Sequence, residues 1–249
     1  MGMKKIILSI TIVIIAIVAI TVTIIKGDKN INQNIAVTPI YTTTPKTIPL
    51  CFYYEKVTSR GFYDRAWLKL NITGNDVSGE FKNLPAEKDS KVGTFTGTVG
   101  AVDKMAMARI ADVWWDSMAE GMQVKEQLKI TFGEGTAQAM FGEMVDRGDG
   151  VYVYKDSSKF TLGFPMSDVA CDDLDDRIIV EKYIRDNIKD LAPEKAVLGG
   201  TWYAMNIHID PRSKTGTMGY EDGHIAGSAS FSYTRNGETV EINSIVKVK

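Results

Sequence analysis

The sequence predicts a mainly β protein, an antiparallel barrel or sandwich with one amphipathic helix, preceded by a single N-terminal transmembrane helix. Three observations predict it. Residues 6–25 are uniformly apolar; short alternating apolar runs separated by turn residues recur from 50 to 171 and again after 193; and one stretch, 172–192, has helical periodicity. The plan that follows is a membrane anchor or signal segment at 1–27, a Thr/Pro/Asn-rich tether at 28–49 and a β domain at 50–171. An amphipathic helix at 172–192 and C-terminal hairpins at 193–249 come next, the hairpins either completing the same domain or forming a small lobe.

The 249 residues are 44% hydrophobic and 24% charged, which excludes wholesale disorder. With 29 basic against 31 acidic side chains the formal net charge is −2, so no basic footprint points to nucleic acid. Two cysteines exclude a disulfide-dense scaffold and a Cys-rich metal site.

The anchor is IILSITIVIIAIVAITVTII, from Ile6 to Ile25, without a charge, Gly or Pro. At about 1.5 Å per residue it spans roughly 30 Å, the thickness of the bilayer's hydrocarbon core. Lys4 and Lys5 precede it, a positive-inside flank that a secretory signal would share. It exceeds the usual signal core of about 7 to 15 residues, and no Ala-x-Ala site follows. These features favour an uncleaved anchor, single-pass at the cell membrane, with the N-terminus inside and the β domain outside. Secretion after signal cleavage is the alternative, and Lys26 and Lys29 weaken the charge asymmetry. Pro39, Pro45 and Pro49 then make the tether extended, the other reading being an edge strand at 35–41.

Hairpins follow from register. A Gly74-Asn75 turn sets Ile72, Leu70 and Leu68 opposite Val77, Gly79 and Phe81. A Glu134-Gly135 turn sets Leu128, Ile130 and Phe132 opposite Phe141, Ala139 and Ala137, and an Asn236-Gly237 turn sets Tyr233 and Phe231 opposite Val240 and Ile242. In the helix, Leu174, Ile178, Ile184, Ile188 and Leu191 share a face, while Asp172, Asp173, Asp175 and Asp176 crowd the first turn and complement the helix dipole. The spacing of these aspartates is not that of a calcium loop.

Candidates for chemistry are few. His208 lies on a strand whose alternation groups it with Trp202, Ala204 and Asn206, opposite Tyr203, Met205, Ile207 and Ile209; both it and His224 read as solvent-facing. Asp112, Asp116 and Glu120 could supply the carboxylates of a hydrolase. Arg147-Gly148-Asp149 reads as a tight turn. No nucleophile elbow, P-loop or dinucleotide fingerprint occurs, so no catalytic residue, metal ligand or cofactor is assigned. The candidate ligand-binding residues are Trp67, Trp114, Trp115 and Trp202; adjacent Trp114 and Trp115 must point to opposite faces of a strand, so one faces outward from a one-sided core. Cys51 and Cys171 are disulfide candidates in an oxidising exterior, two separate buried thiols being the other reading.

Two resemblances add to this. YDRAWLKLNITG, LPAEKDSKVG, VWWDSMAEGM, FGEGTA and FGEMVDRGDGVYVYKD, over roughly 51–171, resemble a group of uncharacterised, membrane-anchored bacterial envelope proteins, which implies an envelope location and no particular activity. Gly200-Thr201-Trp202 is similar to the G-x-W opening of lipocalin-like (calycin) barrels, where it starts the first barrel strand. The expected function is a non-enzymatic, membrane-tethered extracytoplasmic binding module for a small apolar or glycan ligand or an envelope partner. A structural subunit of the cell envelope and a carboxylate-dependent hydrolase are the alternatives.

Overall fold

Alternation of side chains and the turn glycines together dictate how the strands pair. The computed structural model describes residues 46–248; the apolar segment at 6–25, its lysine flanks and the stretch at 35–41 lie outside the described residues. β1 (Ile48–Val57) already includes Ile48 and Pro49 and pairs with β2 (Tyr63–Thr73). β2 turns at Gly74-Asn75 into β3 (Asp76–Leu84) in the expected register, Leu70 opposite Gly79 and Ile72 opposite Val77. β4 (Lys91–Val99), β5 (Arg109–Ala119), β6 (Met122–Gly133) and β7 (Thr136–Phe141) continue the antiparallel meander. Excursions form β8 (Met144–Asp146), β9 (Val151–Tyr154) and β10 (Thr161–Leu162). β11 (Met166–Val169) then pairs with both β7 and β1, closing β1–β7 and β11 into an eight-stranded antiparallel barrel.

Inward-facing residues fill that barrel. Trp115, Phe81, Phe95, Leu68, Leu70, Ile130 and Met166 are all buried in one cluster, with the Phe81 and Trp115 rings 5.2 Å apart. Close approach of β4 to β5 depends on Gly93 and Gly97: a Cβ on either would stand 2.1 Å from a β5 carbonyl oxygen. Where β4 starts and β5 ends, the interior turns polar: the Ser117 hydroxyl donates to Glu126 at 3.2 Å, and the Lys91 ammonium pairs with the same carboxylate.

The helix α1 (Cys171–Leu191) follows β11. It packs Val180, Ile184 and Ile188 on one face of a second sheet, β12 (Tyr203–Asp210), β13 (Thr215–Glu221), β14 (Ala226–Asn236) and β15 (Thr239–Val248), in that spatial order. Two expectations are corrected here. The C-terminal turn is Gly237-Glu238, with Gly237 at φ 60°, so Tyr233 opposes Ile242 rather than Val240. A glycine-first turn sets this register, and the slip of two positions keeps Tyr233, Val240 and Ile242 on the core face, while a bulge further along sets Phe231 opposite Ile245 rather than Ile242. In β12 the alternation breaks between Met205 and His208, where Asn206 sits at φ 50°. This bulge puts Trp202 and Ala204 on the core side with Ile207 and Ile209 and leaves Tyr203 exposed.

The lipocalin-like reading of Gly200-Thr201-Trp202 is also corrected. The barrel is complete before this tripeptide, which instead introduces the second sheet. Trp202 is buried beneath α1, edge-on to Tyr220 at 5.0 Å, its indole N–H donating to the Glu194 carbonyl at 3.0 Å.

Candidate functional site

Strand β6 changes neighbours along its length: Lys125 and Glu126 pair in parallel with Val151 and Tyr152 of β9, whereas Lys129 to Gly133 pair with β7. Between them the sheet forks, and the unpaired backbone at the fork needs other partners. Tyr154 supplies them. Its hydroxyl donates to the Met140 carbonyl at 2.7 Å and accepts from the Lys129 N–H at 2.9 Å, and its own N–H donates to Gln127 Oε1 at 3.1 Å. Burial pushes the Tyr154 phenol up to about 12, so it stays a neutral donor.

The fork leaves a cleft of about 200 Å³ on the outer barrel face, with Asp112, Trp114, Gln127, Lys129, Tyr154 and Ser157 around it. Register explains the grouping: Trp114 lies directly opposite Gln127, and Asp112 opposite Lys129. Asp112 and Lys129 form an ion pair, and the Arg147 guanidinium stands 5.8 Å from the centre of the Trp114 ring. Gln127 spends its oxygen on the backbone, so its amide N–H groups are available to a ligand. The site thus offers a flat indole, amide donors and a carboxylate–ammonium pair in a space fit for one small polar ring.

The structure separates the four candidate tryptophans. Trp115 is 0% exposed inside the barrel, Trp67 is buried beneath Lys82, and Trp202 is buried beneath α1; Trp114 is partly accessible, on the opposite face of β5 from Trp115. Asp112 and Asp116 face outward and pair with Lys129 and Lys125, while Glu120 occupies a turn at φ 51°. They do not converge. In the Arg147-Gly148-Asp149 turn the arginine and aspartate pair with each other, and Asp146 accepts from the Gly148 N–H at 2.7 Å. Cys51 and Cys171 form a disulfide beside Trp67 and Leu174.

His208 requires a correction. Its imidazole Nδ1 meets the Glu55 carboxylate on the barrel rather than facing solvent alone, although the side chain keeps 41% exposure. Glu55 also accepts from the Tyr53 hydroxyl and from Arg65 Nε, each at 2.7 Å, and Arg65 reaches Glu181 of α1 at 3.2 Å. Burial opposes ionisation of Glu55, but Tyr53, Arg65 and His208 together hold its pKa below the ordinary value. The same burial and the carboxylate push the Tyr53 phenol up. This cluster joins barrel to helix and sheet, and its four elements are too far apart in sequence for spacing to reveal it. His224 lies in a turn that Asp222 caps, accepting from the His224 and Ile225 N–H groups at 2.9 and 2.8 Å.

Among the described residues no group of three or more His, Cys, Asp or Glu side chains could hold a metal ion. Gln127 and Tyr154 carry no signal in the sequence because a fork in a sheet has no local signature, and Arg147 reads there only as part of a tight turn. No family model matches the chain, and no match was found among curated proteins or solved structures.

Proposed function

We propose that this chain is a non-enzymatic, membrane-tethered extracytoplasmic binding protein whose outer barrel face takes one sugar unit of an envelope glycan at Trp114. The supporting observation is that Trp114, alone of the four tryptophans, escapes burial, and that it lines the cleft with Gln127, Asp112 and Lys129. An indole face complements the apolar C–H face of a pyranose, and the amide and charged groups suit its hydroxyls. An apolar ligand inside the barrel is disfavoured because side chains fill the interior. The membrane address rests on the 20 uncharged residues from 6 to 25 and the lysines before them.

Calorimetric titration of the full chain in detergent micelles against a panel of mono- and disaccharides tests the reading. We expect saturable binding that Trp114→Ala weakens about tenfold or more and that Gln127→Ala weakens less, with unchanged thermal midpoints. A flat response to every sugar, or binding indifferent to Trp114, overturns it.

A further inference from the structure

The two edges of the four-stranded sheet are protected unequally. Along β12 three guanidinium groups cover edge carbonyls: Arg65 from the barrel takes Ile207, and Arg177 and Arg185 of α1 take Ile209 and Ala204, the last at 2.8 Å. Such cover blocks the approach of another strand. Among the described residues nothing pairs with the outer edge of β15, where Val246 and Val248 stand 60% and 47% exposed. An open strand of this length is a template for strand addition.

We propose that a second copy of this chain occupies that edge, β15 against β15, antiparallel about a two-fold axis. The bulge in β15 argues for a copy. Val240 and Ile242 face the core, Asn243 has no register partner in β14, its amide donating to the Thr234 hydroxyl at 2.9 Å, and beyond it Ile245 and Lys247 face the core side, so the alternation inverts at Asn243. A second β15, with the axis between Asn243 and Ser244, carries the same inversion at the same place. Ile242 then opposes the partner subunit's Ile245, Val240 opposes the partner subunit's Lys247, and Glu241 opposes the partner subunit's Val246. Thr239 meets the partner subunit's Val248, and Asn243 the partner subunit's Ser244. Every pair shares a face and no residue is left over, whereas a shift of one residue sets inward against outward throughout. The product is one eight-stranded sheet with both copies of α1 on the same side, an isologous contact.

The charge sign at position 246 tests this register, because Val246 is exposed in the single chain and opposes the partner subunit's Glu241 twice in the dimer. Native mass measurement of the full chain in detergent micelles should find a dimer. Val246→Glu creates two like-charge oppositions and should raise its dissociation constant about tenfold. Val246→Lys should bind at least as tightly as the parent, and Val246→Glu with Glu241→Lys should recover the parent affinity. Thermal midpoints that match the parent's at dilutions where both are monomeric would confirm that each variant still folds. A monomer at every concentration overturns the proposal, as does a dimer indifferent to Val246→Glu, which would place association elsewhere.

Discussion

Asp176 lies 1% exposed on α1, where its two oxygens meet Lys214, Arg235 and the Tyr233 hydroxyl, the last at 2.9 Å. Burial works to raise its pKa, but these three donors outweigh it and hold the carboxyl below the ordinary aspartate value. Removing the carboxylate strands a partly buried arginine and a buried phenol. Asp176→Ala should therefore destabilise the fold by about 3 kcal/mol, read from denaturant midpoints, and Tyr233→Phe by only about 1 kcal/mol. Asp176 and Glu55 both have folded-state pKa values below their ordinary 3.8 and 4.5. The stability they contribute is thus fully present above those values and is lost as pH falls through the lower folded values. A plot of thermal midpoint against pH should fall below about pH 4.5, and Glu55→Gln should start lower but fall less steeply. In the sequence Asp176 is one of four aspartates at a helix start, all read as dipole complements. Asp172 and Asp173 sit in that first turn, but Asp175 pairs with Lys69 and Asp176 is buried. Their partners lie dozens of residues away, and no local pattern announces them.

Strand pairing was legible wherever a glycine turn joined neighbours. Gly74 at φ 64° and the Glu134-Gly135 pair at φ 47° and 75° set their hairpins in the expected registers. The C-terminal turn was harder, since Asn236, Gly237 and Glu238 permit two frames that put the same side chains on the core face, and the one adopted places Gly237, at φ 60°, first in the turn. The bulge in β12 was not legible at all: Asn206 looks like an ordinary strand residue, yet it takes a left-handed conformation that asparagine tolerates. Asn206→Gly should be neutral or slightly stabilising, and Asn206→Val should cost about 1–2 kcal/mol or more in thermal denaturation. An Asn206→Val protein of undiminished stability would show that the bulge is not required. The Trp114 cleft was half legible. Adjacent tryptophans on a strand must divide between faces, but the fork that frames the outward one depends on β9 pairing in parallel with β6.

Barrel, helix and second sheet meet through one covalent and several polar contacts. Cys51–Cys171 joins β1 to the start of α1, Lys69 pairs with Asp175, Arg65 with Glu181, and Glu55 with His208, while the Arg177 guanidinium lies 4.4 Å from the Tyr53 ring centre. The disulfide closes a sequence separation of 120, a constraint worth about 4–5 kcal/mol in the chain-entropy account. Replacing both cysteines with serine should lower the thermal midpoint by about 10–15 °C, and the unreduced parent should weigh two hydrogens less than the reduced one. Equal midpoints would refute the stabilising role. Closure of the barrel is the part of this plan that sequence could not show, because β11 is only Met166–Val169 and joins two strands that lie far apart in the chain.

The position of that disulfide has a mechanical consequence. Tension applied through the chain before Ile48 travels along β1 only as far as Cys51, crosses the sulfur–sulfur bond to Cys171, and continues into α1. The chain between those two residues lies outside the covalent load path. Pulling on the N-terminal side would load the helix and the four-stranded sheet through that covalent link, while the strands after Cys51, including the one that carries Trp114, are reached only through the pairing of β1 with β2 and β11.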